Sequence, residues 1–182
     1  MKKQPEKTEQ TRQNLIQAFC QLYARKPIER IRIQEITDLA GCNRGTFYVY
    51  FPDIYGIREY VETDLIQLAQ NIRKNSGDSL PAPDIDALRQ FWNMRETSLR
   101  AVLSESGCDH FRAHVKVSLN ASPDSRLHEE LALYLAEFRF SASLSLFQTW
   151  LKTGETLPAD ELLQLIYTLC TQGLHSIASN PS

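Results

Sequence analysis

Apolar residues recur at helical spacing along almost all of this 182-residue chain. Leu15, Phe19, Leu22 and Tyr23 share one face of a first helix, which must stop before Pro27 because proline lacks the amide hydrogen and its ring clashes with the preceding turn. Ile33, Ile36, Leu39 and Ala40 predict a short second helix ended by Gly41. Asn43 predicts the N-cap of a third, very short helix reaching about Tyr50. Pro52-Asp53 interrupts the pattern. Asp53 then caps a fourth helix, in which Ile54, Ile57, Val61, Leu65, Leu68 and Ile72 step by threes and fours.

The stretch 75–83, NSGDSLPAP, reads as a linker. Beyond it a helix opens at Asp84, carries Leu88, Phe91, Trp92 and Leu99, and ends near Gly107. A shorter one covers about Asp109 to Leu119. Ser122-Pro123-Asp124 supplies a capping hydroxyl, a proline at the first helical position and an acid at the positive dipole end. The helix it opens is expected to reach Gly154, and a last one runs from about Pro158 to Ser179. No stretch reads as a convincing strand, so the expected fold class is all-α.

Charge refines this picture. The chain holds 20 Lys+Arg and 22 Asp+Glu, for a net charge of −2. Residues 1–60 carry ten Lys/Arg against seven acids, and the remainder ten against fifteen. A basic first part fits a polyanion partner for that part alone, although solvated faces give the same balance. No run approaches the roughly 18 apolar residues of a membrane span. The charged N-terminus lacks the apolar stretch of a secretory signal. Cys20, Cys42, Cys108 and Cys170 form no CxxC pair and no disulfide framework, so a cytoplasmic location is expected.

The segment 33–51, IQEITDLAGCNRGTFYVYF, carries the chemistry. Two short helices around a glycine stop make a helix-turn-helix. Asn43 caps the second of them and leaves amides free to face phosphate. Arg44 stands in its first turn, where side chains reach base edges, and guanidinium pairs best with guanine. Gly45 is unfavourable inside a helix by about 0.5–1 kcal/mol relative to alanine. Either it relieves crowding against the first helix, or it lets the backbone approach a groove. Thr46, Tyr48 and Tyr50 offer hydroxyls to phosphate or bases. Phe47 and Phe51 belong to the core.

From Thr11 to Arg58 the chain resembles the DNA-binding domain of TetR family transcriptional regulators. The resemblance rests on Ile16, Ala18 and Phe19, on Ile33 to Ile36, on Leu39-Ala40-Gly41, and above all on Arg44 to Phe51. It implies operator or backbone contacts for Gln34, Asn43, Arg44, Gly45, Thr46, Tyr48, Val49 and Tyr50. It also implies a C-terminal helical domain that dimerises and holds an inducer pocket. The segment from Phe138 to Leu169 is similar, on few residues, to dihydroxyacetone-kinase regulator-like members. Three positions depart from the family. Arg32 replaces the usual Thr or Ser cap, Ile54 replaces a phosphate-gripping Lys, and Cys42 replaces a common Val. Weaker DNA affinity, or compensation by Arg32 or Arg12, would follow.

The chain shows no GxSxG, Walker A, dinucleotide-glycine or HExxH pattern, and no enzyme activity or cofactor is expected. Cys108, His110 and His114 have metal-ligand spacing, but the plainer reading is a half-exposed helix start without a metal. The expectation is a cytoplasmic homodimeric repressor of a palindromic operator. Residues 1–51 form its DNA-binding domain, with the helix-turn-helix at about 32–51, and residues 52–182 a regulatory and dimerisation domain.

An apolar or aromatic inducer would lie among Leu65, Leu68, Phe91, Trp92, Phe111, Tyr134 and Phe138, with Arg95, His110 and His114 as polar anchors. A dimer interface is expected from Ser141, Ala142, Ser145, Leu162, Ile166, Leu169, Gly173 and Ile177. Two alternatives stay open. One is a helical ligand-binding protein or enzyme with no DNA role. The other is a DNA-binding regulator controlled by a protein partner.

Overall fold

The computed structural model describes residues 5–75, 85–119 and 129–178, and these contain helices and no strand. The order is α1 (Pro5–Tyr23), a single 3₁₀ turn (Ile28–Arg30), α2 (Ile33–Ala40), α3 (Arg44–Tyr50), α4 (Ile54–Asn75), α5 (Ile85–Val102), α6 (Cys108–Leu119), α7 (Glu129–Lys152) and α8 (Ala159–Ala178). The all-α expectation therefore holds. The start signals expected at Asp84 and at Ser122-Pro123-Asp124 lie outside the described residues. No described helix is long and apolar enough to cross a membrane.

Two compact units divide the chain. The first comprises residues 1–66 and 95–114, the second residues 67–94 and 115–182. The sequence division at 51/52 marks the end of α3, whereas the units follow packing. Ile57, Val61 and Leu65 of α4 are buried and belong to the first unit.

In the first unit α1 supplies Leu15, Phe19 and Tyr23, all fully buried, α2 supplies Ile36 and α3 supplies Phe47. The rings of Phe19 and Tyr23 lie 5.2 Å apart. Burial of each large apolar side chain is worth about 1.5–3 kcal/mol, far more than the propensity of helices as short as α2 and α3. Helix α1 touches α2, and α2 touches α3.

Local chemistry sets the ends of these helices. Arg32 occupies the N-cap of α2, but guanidinium has no acceptor to offer. Half of a capping box remains, in which the Arg32 amide donates to Glu35 Oε2 at 2.8 Å. Lys26 Nζ donates to the other oxygen of Glu35 at 2.6 Å. These two bonds, the Lys26 one first, hold the Glu35 carboxyl below its ordinary pKa. At the other end Gly41 sits at φ 67°, ψ 34°. The amide of Cys42 reaches Thr37 O at 3.0 Å and that of Gly41 reaches Asp38 O at 3.3 Å. This is a Schellman turn, and its left-handed residue is where glycine carries no penalty.

In the second unit Trp92 is buried, stacked on Phe147 at 5.3 Å and edge-on to Trp150 at 5.7 Å. Trp150 Nε1 donates to Leu157 O at 2.7 Å. Leu144 of α7 and Leu162, Leu163 and Ile166 of α8 are buried, and α7 touches α8. Helix α5 is not one rod as its apolar spacing implied. Arg95 breaks it, at φ −137°, ψ 21°. All four cysteines are free, and burial pushes the Cys20 thiol up to about 12.

Candidate functional site

Helix α3 is only seven residues long, so its position is set by what anchors it. Phe47 is fully buried and Phe51 nearly so, with their rings 5.9 Å apart. Asn43 Oδ1 caps the helix, accepting from the Thr46 amide at 2.9 Å and from the Thr46 hydroxyl at 3.1 Å. Because Phe47 points inward, the opposite face turns out. Asn43, Arg44 and Gly45 are exposed, Tyr48 is 48% and Val49 61% exposed, and Thr46 and Tyr50 are half-buried.

A Cβ added to Gly45 would meet one neighbour, Asn43 Oδ1, at 3.3 Å. No atom of α1 lies that close, so crowding against the first helix does not explain the glycine. Its missing side chain leaves backbone open on the outer face. Arg44 Nη2 donates to Tyr48 Oη at 3.1 Å, and the guanidinium lies 5.7 Å from the Tyr48 ring centroid.

On α2, Gln34 is exposed and donates to Asp38 Oδ1 at 2.6 Å. Arg12 and Arg32 differ in availability. Arg12 pairs with Glu9 at 2.7 Å and lies over the Tyr60 ring at 5.3 Å. Arg32 is exposed, and only its backbone takes part in the bonds at the start of α2. A shallow, open depression lined by Thr11, Thr37, Asp38, Gly41, Cys42, Asn43 and Thr46 adjoins the α2–α3 turn.

Comparison with protein-family models, with curated proteins and with solved structures finds no match.

The residues expected to surround an inducer fall in both units. Leu65, Arg95, His110, Phe111 and His114 belong to the first, and Leu68, Phe91, Trp92, Tyr134 and Phe138 to the second. Their environments differ. Leu65, Trp92 and Phe111 are buried, whereas Tyr134 is 75% and Phe138 61% exposed. Arg95 Nε donates to Asp64 Oδ2 at 2.6 Å.

His110 and His114 turn toward Glu62, a fully buried carboxylate that sequence reasoning passed over. His110 Nδ1 lies 2.9 Å from both Glu62 oxygens, and His114 Nδ1 lies 2.8 Å from Oε2. Among the described residues no group of three or more His, Cys, Asp or Glu is placed to hold a metal ion. A Glu62 oxygen itself occupies the point where the two ring nitrogens converge. The spacing of His110 and His114 marked one side of this cluster in the sequence, and the only sign of its other side was an acid set between Val61 and Leu65 on an apolar stripe.

The expected dimer residues also divide. Leu162 and Ile166 are buried within the single chain, while Leu169 is 53% and Leu165 40% exposed. Ser141 and Ala142 are half-buried and Ser145 is exposed. The environments of Gly173 and Ile177 lie outside the described residues. Helix α8 is thus apolar on two faces. Leu162, Leu163, Ile166 and Cys170 fill the inner one, and Leu165 and Leu169, four apart, mark the outer.

Proposed function

We propose that the chain is a homodimeric DNA-binding transcriptional regulator that reads a palindromic operator with α3. The carrying observation is the two-sided character of that helix. Phe47 anchors one face, while Arg44, Gly45, Tyr48 and Val49 stand out together on the other. A short helix that projects a guanidinium, a hydroxyl, a methyl-bearing side chain and open backbone can meet base edges and phosphates in a major groove. The α2–turn–α3 segment is then a helix-turn-helix. Arg32 takes the phosphate role that Ile54 cannot fill. The TetR-like octad from Arg44 to Phe51 agrees with this assignment of faces.

The dimer forms through the second unit. Leu165 and Leu169 of α8, with Tyr134 and Phe138 of α7, supply exposed apolar surface there. Two copies must hold their α3 helices about 34–36 Å apart to meet successive major-groove turns. As the expected repressor, the bound dimer would exclude transcription from the operator.

On control, a second reading has its own observation. Trp92 is enclosed by Phe147 and Trp150 rather than bordering open space on those sides. That packing counts against an inducer seated on those faces of Trp92, which leaves control by a protein partner as the second reading.

The test is selection of duplexes from a random-sequence library on the purified chain, followed by titration of the enriched sequence and a scrambled one at several salt concentrations. The proposal expects an enriched inverted repeat, bound about 10³-fold or more tighter than scrambled DNA. No enrichment, or salt-dependent binding without sequence preference, removes it.

A further inference from the structure

We infer that Tyr48 is a positioning residue that sets the guanidinium of Arg44 for a guanine, rather than a phosphate contact of its own. The inference rests on the proposed DNA-binding role and adds to it a division of labour within α3.

Arg44 and Tyr48 stand four residues apart, on adjacent turns of the same exposed face. The Tyr48 hydroxyl oxygen accepts one Arg44 N–H at 3.1 Å, and the ring lies beneath the guanidinium at 5.7 Å. Tyr48 is itself steadied by Phe47, whose buried ring meets it edge-on at 5.7 Å and 89°. A fixed ring and a fixed hydroxyl together constrain a side chain that is otherwise among the most flexible.

Guanidinium has five donors. One is used by Tyr48, and no acid pairs with Arg44 among the described residues. The remaining donors are enough for the two parallel bonds to guanine O6 and N7. An arginine held in advance loses less freedom on binding, so the gain falls on the correct base and not on DNA in general.

The test uses the full chain, the duplex it selects, and that duplex with single base-pair changes. Arg44→Ala should lower discrimination at one guanine position by about 5- to 100-fold. Tyr48→Phe keeps the ring and removes the hydroxyl. It should lower discrimination at the same position by about 3- to 10-fold and change affinity for scrambled DNA by less than about twofold. Adding Tyr48→Phe to Arg44→Ala should change discrimination no further.

Equal weakening on every duplex would make Tyr48 a phosphate contact and overturn the inference. Unchanged discrimination, or loss at a different base pair, would also overturn it. Each of these leaves the DNA-binding proposal standing. A wild-type chain that selects no duplex removes both. Circular dichroism of each variant separates lost contacts from lost fold.

Discussion

Glu62 and His114 face each other across 2.8 Å, carboxylate oxygen to ring nitrogen, with the carboxylate fully withdrawn from solvent. His110 supplies a second ring nitrogen at 2.9 Å. A buried carboxylate is tolerated only where donors replace its water. Two imidazoles, one turn apart on α6, stand in reach to do so through their Nδ1–H tautomers. The pair ties α4 to α6 within the first unit, and its value lies in what would happen if both donors were lost.

His110→Leu and His114→Leu keep the cover over Glu62 but remove a donor each. Either alone should lower unfolding free energy by about 1 kcal/mol, because the other still bonds the carboxylate. Together they leave a buried carboxyl without either ring partner and should lower it by more than the sum of the single losses. Urea unfolding of the four proteins measures this. A double variant no weaker than the sum of the singles would mean the carboxylate finds other partners.

Gly41 at φ 67° makes a second site of predictable sensitivity. Nothing lies within 4 Å of a Cβ placed there, so substitution meets backbone strain alone. Gly41→Ala should destabilise the chain by about 1–2 kcal/mol, and Gly41→Asn by less, since asparagine tolerates the left-handed region better. Thermal unfolding that ranks asparagine below alanine would contradict this.

Glu35 makes α2 responsive to acid. Its carboxyl is held below the ordinary value chiefly by Lys26 and then by the Arg32 amide. A depressed carboxyl stabilises the folded chain fully above its unfolded value, near 4.3. That support is lost as pH falls through the folded value. Glu35→Gln should therefore flatten the acid limb of the stability–pH curve and leave its shape near neutrality unchanged. An acid limb identical to that of the wild type would show that Glu35 bears no linkage.

The two faces of α8 give opposite outcomes for one kind of substitution. Ile166→Glu places a charge in the core of the second unit and should unfold it. On the proposed dimer, Leu165→Glu or Leu169→Glu should keep the helical circular dichroism, halve the mass seen by light scattering, and weaken binding to the selected duplex. A folded dimer with either outer variant would move the interface elsewhere.

Under the DNA-binding proposal, Arg32 and Arg44 should separate by salt. Arg32→Ala should weaken enriched and scrambled duplexes alike and reduce the slope of log affinity against log salt by about one unit. Arg44→Ala should act mainly on the enriched duplex. Equal weakening of both duplexes by both variants would assign both arginines to the backbone.

What could be read in the chain beforehand follows the range of the interactions. The stop before Pro27, the Gly41 end of α2 and the Asn43 cap of α3 depend on neighbours within five residues, and each is where the pattern puts it. The exposure of Arg44, Tyr48 and Val49 follows from Phe47 being core, since helical geometry fixes the rest. Features set by distant partners were hidden. Glu62 looks like any surface acid until α6 brings two histidines to it. The inner and outer faces of α8 are both leucine-rich, so spacing alone could not say which packs on α7. The break at Arg95 leaves no mark in the apolar period of α5.

The free thiols offer a clock for each of the two units. Cys20 is buried in the first unit and Cys170 in the second. A thiol pushed up to about 12, like that of Cys20, cannot react with an alkylating reagent near neutral pH until its surroundings open. Burial covers Cys170 as well, so each sulfur reports when its own surroundings open. In pulsed labelling, simultaneous modification of Cys20 and Cys170 would mark a chain that melts as one body, and staggered modification would show which half lets go first.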